Sequence, residues 1–236
     1  MNELAASFAA AFRLIVALDP ALVEIVGRSL LISLAAVIIA SVAGLPLGAA
    51  IAVFRFPGRR AAIILLNSLM GLPPVVVGLA VYILLSRAGP LGALGLLFTP
   101  WAMIIAQAIL VAPIVAALAQ QIVSDLNNEY QEQLRSLGAS SGHVVWTLLW
   151  DGRPSLLTAM LAGFGRASAE VGAVLIVGGN IAHITRVMTT TITLETSKGN
   201  IALALGLGII LVLVAIGVNA AAYVVGQVTQ PLRSVA

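Results

Sequence analysis

Long uncharged apolar runs alternate with short polar punctuation along this chain. Residues 30–54 contain no charge, and neither do 61–86 and 101–124. Residues 155–178 and 200–228 are apolar again, the former interrupted only by Arg166 and Glu170. A membrane-spanning helix needs about 20 largely apolar residues. The pattern therefore predicts five spanning helices. Pro73-Pro74 lies inside the second run, and Pro113 inside the third, where it predicts a bend. Residues 1–20 differ. Phe8, Phe12, Ile15 and Val16 recur at helical spacing with Arg13 off that face, which predicts an amphipathic helix lying in the membrane interface rather than a sixth span.

The polar stretches are just as informative. Residues 87–100 form a Gly- and Pro-rich loop, and 179–199 a polar loop. Residues 125–154 carry six of the chain's 21 charged residues, namely Asp125, Glu129, Glu132, Arg135, Asp151 and Arg153. Their good helix formers predict short helices outside the bilayer rather than a disordered linker.

Composition strengthens the membrane reading and removes several function classes. The chain is 61% hydrophobic and 9% charged, with a mean hydropathy of +1.11. A soluble domain carries about 25% charged residues, so much of this exterior must face lipid. No basic run suggests nucleic acid. With no cysteine and only His143 and His183, disulfides, thiolate chemistry and His-based metal sites are all disfavoured. A phosphate-binding Gly-x4-Gly-Lys-Ser/Thr loop is absent, so the chain is not itself expected to bind ATP.

Orientation follows from Lys and Arg in the short loops. With the N-terminus outside, the inner side holds Arg55, Arg59, Arg60, Arg135, Arg153 and Arg233, and the outer side Arg13, Arg28, Arg87, Arg186 and Lys198. The tight cluster at 55–60 decides the vote. It places segment 125–154 and the C-terminus in the cytoplasm.

Three motifs carry the functional signal. The first is Glu132-Gln-Leu-Arg-Ser-Leu-Gly138, followed by Ala139 and, ten residues after the glycine, Leu148. Gly138 permits a sharp turn between two short helices, and apolar Val144, Val145 and Leu148 could seat against a partner. The second is Gly163-Phe-Gly-Arg166-Ala-Ser-Ala-Glu170-Val-Gly-Ala173, which sets Arg166 and Glu170 one helical turn apart. An unpaired charge at the bilayer centre costs about 3 kcal/mol on insertion scales, so this pair should face the protein interior or a water-filled path. A purely structural intrahelical pair explains it equally well. The third is the outer stretch Thr185-Arg186-Val-Met-Thr189-Thr190-Thr191 with Leu194-Glu195-Thr196, preceded by Gly178-Gly-Asn180. Hydroxyls and backbone N–H groups there suit weak, releasable contacts to an anion. Ordinary solvated loop residues would look the same.

Glu132 through Leu148 resembles the EAA loop of ABC-importer permeases, with Gln133 and Leu134 where that family has alanines and Asp151 where it has proline. The Arg166…Glu170 element, the Gly71-Leu-Pro-Pro-Val-Val-Val-Gly78 element and the threonine-rich loop are similar to the tungstate, molybdate and sulfate permeases, tungstate-type above all.

That resemblance implies an all-α integral membrane protein with the type I importer (MetI-like) fold, and a transmembrane domain over 22–228 after an interfacial segment over 1–21. It implies a bacterial inner-membrane permease subunit for an oxyanion, working as a homodimer with cytoplasmic ABC ATPase subunits and a solute-binding protein. ATP and Mg would sit on the ATPase. Glu132, Leu137, Gly138, Ala139, Val144 and Leu148 would couple to it. Arg166, Glu170, Asn180, Arg186, Thr189, Thr190 and Thr191 would line a translocation path or gate. The rival classes are a small secondary transporter, for which neither a coupling-ion site nor a repeated half is visible, and a membrane scaffold without transport.

Overall fold

The computed structural model describes residues 2–228, apart from the side chains of 2–5, Arg135, Val225, Gln227 and Val228. The Arg135 side chain and Arg233, both used in the orientation vote, lie outside the described residues. Ten α-helices run in order among the described residues: α1 (Asn2–Val16), α2 (Pro20–Val53), α3 (Arg59–Leu69), α4 (Pro74–Leu85), α5 (Pro100–Ser136), α6 (Ser141–Asp151), α7 (Arg153–Ser168), α8 (Gly172–Gly178), α9 (Met188–Ser197) and α10 (Ile201–Val228).

Three helices are long and apolar enough to span a membrane: α2, α5 and α10. The expected second and fourth spans are each broken in two. The α3–α4 pair bends by 96° and the α7–α8 pair by 61°, giving up to five spans if each pair counts once. The causes are local. Pro73 and Pro74 lack N–H groups, and Pro74 starts α4 as an N-terminal proline. The second break follows Ser168, where Glu170 takes over a backbone donor from the next helix. Two other expectations also shift. α5 continues to Ser136, far past the predicted exit at 124. Residues 188–197 of the expected polar loop are helical, because Thr190 Oγ1 accepts from Val187 N (3.3 Å) and Thr191 Oγ1 donates to Val187 O (2.6 Å).

The chain divides into two compact units, and α2 and α5 contribute a part to each. The first comprises Met1–Ala36, Pro73–Gln107 and Arg166–Gly217. Its α1 is tied to α2 through Asp19, whose Oδ1 accepts from Ala21 N (3.0 Å) and Leu22 N (3.2 Å). Leu14 and Ile15 pack on a cluster of Leu22, Ile25, Met188 and Leu207. Phe8, Phe12 and Val16 remain exposed, so Ile15 faces away from the stripe expected of it. α4 and α8 meet backbone to backbone: a Cβ on Gly78 would lie 2.7 Å from Ala173 Cα. Phe98 N donates to Val177 O (3.0 Å), tying the loop before α5 to α8.

The second unit comprises Val37–Leu72, Ala108–Gly165 and Val218–Ala236. α2 lies against α5 along Gly44 and Gly48, a small-residue pair four apart. A Cβ on Gly48 would collide with Ala116 O and lie 2.9 Å from Ala119 Cβ. α6 folds back on this pair. Val144 and Leu148 join Ala49, Ala52, Val123 and Leu126 in one buried cluster, with Ala139, Val145 and Leu149 packed around it.

Candidate functional site

The segment resembling a coupling loop is built from the end of α5 onward. The helix closes on Gly138, whose φ of +71° only glycine adopts without strain. Ala139 N reaches back to Leu134 O (3.0 Å) and Leu137 N to Gln133 O (3.1 Å), absorbing the last carbonyls of α5. Ser140 then opens α6, accepting from His143 N at 3.4 Å. The predicted turn between two helices is therefore present.

Its apolar residues point differently from the expectation. Leu148 is 1% exposed and Val144 is buried in the chain's own core, so neither is free to seat against a partner. Their burial fixes α6 rigidly to α2 and α5. The surface presented outward is instead Leu137, at 81% exposure, with Glu132 and Gly138. Ala139 is half-buried against the cluster. Beside this turn lies a polar cleft of about 330 Å³, bordered by Arg55, Asn127, Asn128, Gln131 and Ser141. Arg59, also on its wall, donates to Ile51 O (2.7 Å) and Ala52 O (2.9 Å), closing the C-terminus of α2.

The second constellation centres on the α7–α8 break. Arg166 Nη1 donates to Glu170 Oε2 at 2.6 Å. Since α7 ends at Ser168, the pair bridges a helix end instead of lying within one helix. Glu170 Oε1 accepts from Ala173 N (3.1 Å), supplying a first-turn donor of α8 with an acceptor. The Glu170 side chain is 3% exposed and that of Arg166 is 35%; the carboxylate is a structural bolt, whereas part of the guanidinium stays open.

Two further side chains hold the unwound backbone, and the sequence reading overlooked one of them. Gln107, on α5, donates from Nε2 to Ala167 O at 3.0 Å. Thr189 Oγ1 donates to Glu170 O at 2.8 Å. Non-helical backbone at membrane depth survives only where it is buried in protein or lines water, and these bonds provide the first condition. Gln107 Oε1 and Ser168 Oγ are buried without hydrogen-bond partners among the described residues. They border a cavity of about 10 Å³ with Ser29, Ser33 and Thr189, at the lower limit for one water. A glutamine in the first half of the apolar run 101–124, well before Gln120 and Gln121 at its polar end, was the signal that could have revealed this role.

The threonines expected to face an anion are all buried, and their hydroxyls bond internally. Thr190 Oγ1 donates to Asn180 Oδ1 at 2.9 Å, while Asn180 Nδ2 donates to Thr190 O at 3.4 Å. Asn180 itself sits at φ +51°, a left-handed turn that Asn tolerates. These residues brace the loop instead of offering free donors. Arg28 adds a strap, donating to Glu24 (2.6 Å) and to the carbonyls of His183 (2.8 Å) and Arg186 (3.4 Å). Arg186 keeps a half-buried side chain whose Nε has no hydrogen-bond partner among the described residues. Near it Glu195 bonds Lys198 (3.0 Å) and Asn200 (2.9 Å). Lys198 above all, then Asn200, with Arg186's charge adding, holds the Glu195 carboxyl below its usual range despite burial.

Among the described residues no cluster of three or more His, Asp or Glu side chains forms a metal site.

Relatives with assigned roles share most of this chain. A probable anion ABC transporter permease protein of Haloferax volcanii is 41% identical over 204 residues, 84% of this chain and 88% of the relative. The tungstate uptake system permease protein TupB of Peptoclostridium acidaminophilum is 40% identical over 223 residues, 94% of this chain and 98% of the relative. TupB of Campylobacter jejuni is 40% identical over 149 residues, 63% and 62% of the two chains. Residues 44–233 match the family model described as binding-protein-dependent transport system inner membrane component. With its apolar helices and its bent helix pairs, the chain belongs to the binding-protein-dependent transport system inner membrane components, the permeases of ABC importers.

Proposed function

We propose that this chain is the non-catalytic permease subunit of an ATP-driven importer that carries an oxyanion, tungstate first, from an external binding protein to the cytoplasm. The observation that carries the cargo is the 40% identity to a tungstate uptake permease over 94% of the chain. The anion class has physical support as well. Arg166 and Arg186 are the cations of the two central constellations, and each retains guanidinium donors beyond its recorded bonds. A dianion is attracted to such groups, while the single bound carboxylate beside Arg166 keeps the attraction weak enough for release.

Coupling is assigned to Glu132, Leu137, Gly138 and Ala139 at the surface, with Val144 and Leu148 as the internal anchor. A cytoplasmic ATPase carrying ATP and Mg presses on the Leu137–Gly138 turn. Because α6 is packed into the cluster with α2 and α5, the push moves helices and is not absorbed by a loose loop. Thr189, Thr190, Thr191, Asn180 and Glu170 act in the gate as bracing, and Arg166 and Arg186 as the groups the anion meets. Two copies of the chain enclose the path, with the N-terminus outside and the 125–154 segment in the cytoplasm.

Isothermal titration of the partner binding protein with tungstate, molybdate and sulfate tests the cargo. Tungstate should bind tightest. Sub-micromolar affinity for sulfate alone would overturn the assignment.

A further inference from the structure

A second groove lies away from the residues assigned to coupling and gating. It measures about 860 Å³ and runs between α2 (Ile38 to Pro46), α6 (Trp146, Trp150) and α7 (Arg153 to Met160). Its walls are almost entirely aliphatic and aromatic, with Leu45, Leu157 and Met160 among them. Along α2 the lining runs from Ile38 to Pro46, eight residue steps or about 12 Å at 1.5 Å per residue. Trp146 and Trp150 are 69% and 65% exposed, although the same helix buries Val144 and Leu148 in the core.

Arg153 stands at the head of α7 and is exposed. Its guanidinium lies 4.8 Å from the Trp150 ring centroid and donates to Trp150 O at 3.3 Å. No carboxylate reaches it among the described residues, its sequence neighbour Asp151 included. One wall also carries Ser41, whose buried Oγ has no partner among the described residues.

We infer that this groove docks an anionic phospholipid, with its phosphate on Arg153 and an acyl chain along Leu45, Leu157 and Met160. Three features select this occupant. The cation at the groove's polar end has no carboxylate partner among the described residues, and a phosphate supplies an anion. Two exposed tryptophans flank it, as aromatic side chains do at the headgroup level. The floor is formed by α2 residues in the middle of a spanning helix, beyond the reach of a cytoplasmic subunit. The consequence is regulatory: α6 carries the coupling segment's anchor, so a lipid wedged between α6, α7 and α2 stiffens the element through which the ATPase acts. The inference is independent of the cargo.

Brominated lipids test this, because bromine quenches tryptophan only at close range. The full chain, in a Trp101→Phe background, is placed in phosphatidylcholine nanodiscs with increasing dibromo-phosphatidylglycerol or dibromo-phosphatidylcholine. Phosphatidylglycerol should quench Trp146 and Trp150 saturably at a low mole fraction. Arg153→Gln should raise the half-quenching fraction about fivefold, the weight of one surface cation on an anionic lipid. Arg153→Lys should restore it. Equal curves for the two lipids, or no shift with Arg153→Gln when Arg153→Lys and the parent are folded, would reduce the groove to ordinary annular lipid and overturn the inference. The chain has no cysteine, so Leu157→Cys provides the complementary arm. Efficient disulfide formation between two copies through that residue would put a second copy in the groove and also overturn it.

Discussion

Arg166 and Glu170 lie 2.6 Å apart across the end of α7, and the same carboxylate accepts from Ala173 N at the start of α8. One buried side chain thus neutralises a cation and terminates a helix break. Glu170→Ala removes both and leaves Arg166 without its anion. The expected cost is about 1.5–3 kcal/mol, that of losing charge-assisted hydrogen bonds, because the Arg166 left behind is 35% exposed. Glu170→Gln keeps an acceptor for Ala173 N and should cost clearly less. Thermal unfolding of purified variants in detergent measures the order; equal losses would contradict the double role.

The α2–α5 seam gives a graded series. Gly48→Ala should destabilise strongly, because its Cβ would collide with backbone at Ala116 O. Gly44→Ala meets Ala112 O at 3.0 Å and should be milder. Gly27→Ala meets nothing within 4 Å and should be neutral or gain about 0.5–1 kcal/mol from helix propensity. Resistance to denaturant across the three reports whether close backbone approach holds this seam.

Coupling is best probed at Leu137, because deleting the whole turn would also remove the buried Val144. Leu137→Asp should leave thermal stability within about 0.5 kcal/mol, as for other exposed positions. It should reduce co-purification of the ATPase at least tenfold. Val144→Ala should do the reverse, lowering stability while the ATPase still binds.

Glu195 makes a pH prediction. Its carboxyl is held below the ordinary value of 4.5, first by Lys198 and then by Asn200. A depressed carboxyl stabilises the folded state fully above its unfolded value and loses that contribution as pH falls through the folded one. Stability should therefore fall as pH drops below 4.5, and Glu195→Gln should flatten that part of the curve. Unfolding followed between pH 6 and 3 checks the sign.

Hydropathy located the apolar segments because lipid exposure imposes a bulk requirement that any uncharged run of sufficient length meets. It missed the breaks at Pro73-Pro74 and after Ser168, since a 20-residue count cannot distinguish one span from two short helices joined at an angle. Gly138 was legible, because few residues other than glycine close a helix with positive φ. The direction of Val144 and Leu148 was not: an apolar residue on an amphipathic helix suits a partner and the chain's own core equally well, and only the packing against Ala49 and Val123 decides. The bonding of the loop threonines was not legible for a related reason. A hydroxyl that can meet an anion can also satisfy a nearby carbonyl, and in Thr189, Thr190 and Thr191 it does.

The central claim is that this chain passes an oxyanion under the drive of a separate ATPase. Uptake by proteoliposomes holding the permease, its ATPase and its binding protein tests it most directly. Tungstate should accumulate only with ATP and Mg inside and binding protein outside, and Leu137→Asp should abolish it. Accumulation driven by an ion gradient without ATP would contradict the account.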